Sequence, residues 1–264
     1  MAIFSQKAIT SILLTATLLS SISAIQLTRL NEQSSGKPNQ LSKEELAQKD
    51  LHTRLQLQLK QKLPDFGFRN IIANWTYLNF LQYFGDIDTR AVSGYQLSPY
   101  FFDVIVDRDP FFLIPYTYLT TSVSMYAGLP QKTVEFLETG LSVMAPNFPP
   151  DSYYLWRFKG IDELLFLGDS RAAQESFESA AEWAEIVGTP EAQDVAQISR
   201  QTANFLSQDP SSRVAQINSW ALVLVRAVDD QTRANAVQEI ESLGGTVLVN
   251  DAGQVIVRYR EDES

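Results

Sequence analysis

Cysteine is absent from all 264 residues, and histidine occurs once, at His52. The first absence removes disulfides, thiolate metal sites, iron–sulfur ligation and cysteine nucleophiles together. The second leaves a histidine-rich zinc site or a Ser–His–Asp triad short of imidazoles. His52 itself lies in a polar stretch that reads as an exposed helix. Positive charge is also in short supply: 21 Lys and Arg face 31 Asp and Glu, and the net charge of −10 repels a phosphate backbone. Nucleic acid is a poor partner for such a chain, and no motif calls for a metal or another cofactor.

What is present is apolar surface, 45% of the residues, enough to pack a core and to confine disorder to the ends. The length exceeds one average domain and falls short of two large ones. Residues 8–27 (AITSILLTATLLSSISAIQL) carry no charge. As a helix, twenty residues reach about 30 Å, the hydrocarbon thickness of a bilayer. Lys7 precedes the segment with no acidic residue before it, which favours an N-terminus held in the cytoplasm. The segment reads either as a signal anchor, the favoured reading, or as a signal peptide whose h-region is Ile12 to Leu19. Its hydroxyl residues weaken an anchor yet can bond their own helix backbone. Either way the body belongs beyond that membrane, in a periplasm or thylakoid lumen, tethered or released.

Residues 28–41, with Gly36 and Pro38, read as a flexible tether. Ser42 and Glu45 then form a capping-box pattern that opens a helix to about Lys62, expected to stand off from the main core. From Phe66 onward the pattern is helical with three similar breaks at Gly85, Gly128 and Gly168, spaced by 43 and 40 residues. Glycine suits a helix C-terminus because it adopts the left-handed conformation without a Cβ clash. Behind the last two breaks, Thr133, Leu137 and Gly140 align with Ala173, Phe177 and Ala180. Small residues flanking a large apolar one let two helices approach closely. The period implies an α-solenoid of helical hairpins over residues 42–208.

Over Ile71 to Val187 the chain resembles the tetratricopeptide-repeat family. Ala173, Phe177 and Ala180 fall at that family's small–large–small positions and Gly168 at its turn. Leu78, Thr121 and Ile161 sit where its first-helix glycine belongs, so the match is degenerate. In the first unit Ser93 and Gly94 interrupt the second helix, which restarts at Ser98 and ends at Asp109 and Pro110. The stretches GFRNIIANWTYLNFLQYFGD and YYLWRFKGIDELLFLGD also resemble membrane-anchored helical-repeat proteins of photosynthetic bacteria. Residues 209–264 read as a helical pair and a β-hairpin. Residues 211–228 fit a helix, the favoured reading, or a strand; a helix from Asp230 to Leu243 stops at Gly244, and two short strands flank a turn at residues 250–253.

The aromatic density between Trp75 and Phe158 reads mainly as core filling, with some rings left over to line a groove. The resemblance implies a peptide-holding face on the first helices of the repeats. Carried over by position from the turn glycines, it comprises Asn79, Gln82, Tyr118, Ser122, Phe158 and Asp162. A scaffold that binds another protein, in assembly or upkeep of a membrane complex, is the leading expectation. The alternatives are an exported hydrolase or metal-dependent enzyme built on acidic pairs (Asp103 with Asp107, Asp162 with Glu163) and a soluble exported peptide-binding protein.

Overall fold

The computed structural model describes residues 15–24, 26–27, 42–208, 213–249 and 255–258. The chain divides into two compact units, residues 1–42 and Lys43–Ser264. In the first, residues 15–24 are helical, and Ser21 Oγ donates to the Thr17 carbonyl at 2.9 Å, the back-bonding that hydroxyl residues in an apolar helix require. No helix among the described residues is long and apolar enough to cross a membrane. Residues 8–14 and the 28–41 tether lie outside the described residues.

The second unit is mainly helical. Its elements are α1 (Lys43–Lys62), α2 (Arg69–Gly85), α3 (Ile87–Ser93), α4 (Ser98–Arg108), α5 (Leu113–Tyr116), a π-helical segment Thr120–Tyr126, α6 (Pro130–Leu141), α7 (Tyr153–Asp162), a second π-helical segment Glu163–Leu167, α8 (Ser170–Val187), α9 (Pro190–Gln208), α10 (Arg213–Arg226) and α11 (Asp230–Ser242). Two strands follow, β1 (Thr246–Val249) and β2 (Val255–Arg258), paired antiparallel with Thr246 opposite Arg258. Residues 213–226 are therefore helix, not strand, with Ile217, Trp220, Val223 and Leu224 buried along one face.

Antiparallel pairs organise the core: α2 with α4, the helix ending at Tyr126 with α6, and α7 with α8. Gly128 and Gly168 both adopt φ +70°, and the second closes its helix as a left-handed cap. Asp169 then accepts from Ala172 N–H at 2.9 Å and opens α8. Gly85, followed like Gly168 by an aspartate, remains the last residue of α2, without a positive φ. Its break is made by Asp86, which caps α3 through Thr89 N–H at 3.3 Å. Thr133, Leu137, Gly140, Ala173, Phe177 and Ala180 are all buried. A Cβ on Gly140 would lie 2.4 Å from the Tyr116 hydroxyl, so this crossing needs glycine.

One expectation is overturned. α1 does not stand off: Leu46 and Leu57 are buried, and Leu57 joins the main apolar cluster with Phe101 and Phe102. The Arg108 guanidinium at the end of α4 holds it there. Arg108 Nη2 donates to the Lys60, Gln61 and Leu63 carbonyls at 2.8, 2.7 and 2.7 Å, satisfying acceptors that a helix C-terminus leaves open. Arg69 does the same for α4, donating to the Asp107 and Arg108 carbonyls.

Candidate functional site

Docking of α1 leaves a groove of about 500 Å³ between it and α2. Lys49, Thr53, Gln56 and Lys60 form one wall, Trp75, Asn79 and Gln82 the other, and Leu57, Tyr83 and Phe101 the floor. The spacing on α1 explains its wall. Positions 49, 53, 56 and 60 repeat every three to four residues and share a helix face beside the one buried by Leu46 and Leu57. On α2, Ala73, Thr76, Tyr77 and Phe80 point inward, which turns Asn79 and Gln82 to the groove and leaves Trp75 61% exposed at its lip.

Arg90 anchors the closed end. It is buried, its guanidinium lies 4.1 Å from the Tyr83 ring centroid, and Nη1 donates to the Gly94 carbonyl at 2.9 Å. Asp50 of α1 stands 3.7 Å from it. Burial pushes the Tyr83 phenol up to about 12, so it stays protonated; its oxygen accepts from Leu97 N–H at 3.2 Å. Hydrogen bonding from Thr89 holds the Asp86 carboxyl below its ordinary value, and burial lowers the Lys60 ammonium. Both acids of the groove are thus committed, Asp50 to Arg90 and Asp86 to the α3 cap. Neither Lys49 nor Lys60 makes an ion pair among the described residues. The open polar groups are two ammonium ions and three amides, arranged around an exposed indole.

The six residues expected to form a peptide face do not share one surface. Asn79 and Gln82 line the groove. Tyr118 is half-buried against Tyr77, Phe80 and Phe84, with centroids 6.0, 5.8 and 6.3 Å away. Phe158 is half-buried and stacks on Tyr154 at 6.4 Å. Ser122 and Asp162 are fully buried, out of reach of any peptide. Ser122 Oγ donates to the Tyr118 carbonyl in the preceding turn at 2.7 Å. The aromatic crowd is chiefly core, as its density suggested; Trp75 is an exception.

Asp162 belongs to an interior polar cluster where α7 meets the first π-helical segment. It accepts from Thr120 Oγ1 at 2.5 Å and from Ser124 Oγ, which lies 2.8 Å from Thr133 Oγ1. Burial pushes its carboxyl up to about 7, against the two hydroxyl donors. Its neighbour Glu163 turns away to a separate network: Lys159 Nζ donates to Oε1 at 2.5 Å and Ser176 Oγ to Oε2 at 2.6 Å. The two carboxylates therefore do not converge on one point.

The other acidic pair is also divided. Asp103 is 3.4 Å from Lys132 Nζ, and burial raises its carboxyl while that ammonium opposes. Asp107 lies 3.6 Å from Arg108 Nε. Among the described residues no three His, Cys, Asp or Glu side chains are grouped to hold a metal ion. What sequence reasoning missed was the α1 wall. Its signal was present in the Lys49, Gln56 and Lys60 spacing, but that spacing reads equally as a solvated helix face. The chain matches no protein-family model, no curated protein and no solved structure.

Proposed function

We infer that this chain is a membrane-tethered, tetratricopeptide-like helical-repeat scaffold that holds a segment of another protein in the α1–α2 groove, in assembly or upkeep of a membrane complex. The observation that carries this reading is the groove itself: Lys49, Gln56 and Lys60 oppose Trp75, Asn79 and Gln82 across a trench of about 500 Å³. Amides at that spacing bond an extended backbone, an exposed indole covers an apolar side chain, and unpaired ammonium ions favour acidic residues. The membrane tether rests on the uncharged run of residues 8–27.

The tetratricopeptide-like and solenoid readings gain support from the π-helical segments. A π turn carries one residue more than an α turn. Allowing for that residue in Glu163–Leu167 moves the family's first-helix glycine from Ile161 to Gly160. A Cβ there would lie 3.0 Å from the Phe177 ring and 3.3 Å from the Ala173 carbonyl, the close crossing that a repeat glycine serves. Trp156, four residues earlier, then fits the W-x₂-L-G pattern with Lys159 in place of leucine.

The test is purification of the tagged full chain from detergent-solubilised membranes beside Trp75→Ala/Gln82→Ala. A defined membrane protein that accompanies the wild type and drops at least tenfold with the variant supports the scaffold. Recovery of the same partner with both chains, or of none with either, removes the groove as the docking site.

A further inference from the structure

Beyond its core face and its groove face, α1 has a third face that nothing among the described residues of the Lys43–Ser264 unit covers. Leu51 and Leu55 are 57% and 55% exposed. They lie in a stripe made by Glu44, Gln48, Leu51, Leu55, Gln58 and Lys62, whose spacings alternate four and three. At about 100° per residue this heptad stripe stays within a band of about 80°, on the side of the helix away from Leu46 and Leu57. Leu59, also exposed, flanks it.

The stripe is its own complement when reversed. Read from its two ends, Glu44 meets Lys62, Gln48 meets Gln58, and Leu51 meets Leu55. Acidic residues stand in the first turn of α1 and basic ones in the last, so two antiparallel copies bring opposite charges together at both ends. A parallel pair would set Glu44 against Glu44 and Lys62 against Lys62. We propose that the outward stripe of α1 is a homodimer interface in which a second copy of this chain lies antiparallel, its Leu51 and Leu55 against the first copy's Leu55 and Leu51.

Lys49, Gln56 and Lys60 lie on a different side of α1, so the pairing leaves both grooves open and makes a bivalent molecule, whatever those grooves hold. With two leucine layers the contact is weak in dilute solution and strengthens when the chains share a membrane surface. Glutamine layers at 48 and 58 fix the register, since a shift of one heptad sets leucine against amide.

The experiment measures the mass of the full chain by sedimentation equilibrium in density-matched detergent, across a hundredfold concentration range. A monomer–dimer equilibrium is expected. Glu44→Lys and Lys62→Glu should each weaken it about tenfold, because each reversal places like charges at both ends. The double variant Glu44→Lys/Lys62→Glu should restore it, and Leu55→Glu should abolish it. All three positions are on an exposed face, and far-ultraviolet circular dichroism checks that the fold survives. A single-copy mass throughout the range overturns the proposal. So does a dimer that survives Leu55→Glu, or one whose affinity the double reversal fails to restore.

Discussion

Asp162 shows how burial changes what a residue does. On sequence it is one carboxylate in an acidic chain beside an apolar run; in the fold it is sealed against Thr120 and Ser124. An unfolded aspartate loses its proton near pH 3.9, roughly, whereas here the carboxyl keeps it up to about 7. The folded chain therefore holds one more proton than the unfolded chain between those values, and its stability falls as pH rises through that window. Asp162→Asn keeps an acceptor for the hydroxyls without the charge. Chemical denaturation should find the variant more stable than the wild type by about 2 kcal/mol at pH 8, and the gap should close towards pH 4.5. Equal stability at pH 8 would mean that the carboxyl is ionised without penalty.

At the scale of elements, α1 is the instructive case. Its leucines face in two directions: Leu46 and Leu57 meet the core, while Leu51 and Leu55 face outward. No single apolar stripe stands out in such a sequence, so a helix apart from the core was the natural expectation. Arg108, more than forty residues away, decides the matter by capping the end of α1. A cation at a helix C-terminus is favoured by the dipole as well as by the carbonyls it bonds. Arg108→Ala should cost about 3 kcal/mol in denaturation and raise hydrogen exchange across residues 43–62 selectively. The groove loses a wall in that variant, so partner binding should fall with it. Helices α6 and α8 were far more legible. Small and large residues at 133, 137, 140 and at 173, 177, 180 mark tight crossings directly, because the steric need acts on those side chains themselves. The π turns were not legible, because nothing in the local pattern of residues 120–126 or 163–167 marks the one extra residue that such a turn carries.

On the scale of the whole molecule, the C-terminal pair is not an appendage. Trp220 is buried and meets Phe166 of the second π-helical segment edge-on at 5.2 Å. Thr232 Oγ1 donates to the Tyr126 carbonyl at 3.0 Å, two residues before Gly128. A Cβ on Gly128 or Gly168 would come within 2.6 Å of Asn235 or 2.7 Å of Gln216, so α10 and α11 sit against the two turns themselves. Trp220→Ala should cost about 4 kcal/mol and lower exchange protection in residues 163–167 and 213–226 together. Loss confined to residues 213–226 would mean that the C-terminal pair and the helices before it unfold separately.

By itself the sequence determined the helical class, the antiparallel hairpin at the C-terminus, the left-handed turns at Gly128 and Gly168 and the restart at Ser98, because each follows from periodicity or from the backbone freedom of one residue. Tertiary structure alone decided which polar residues stay wet. Asn79 and Ser122 are equally modest polar residues on helical segments, yet one lines a groove and the other is buried in the packed interior. That distinction depends on which distant helix covers each face, and coverage is set by long-range packing that no local pattern encodes.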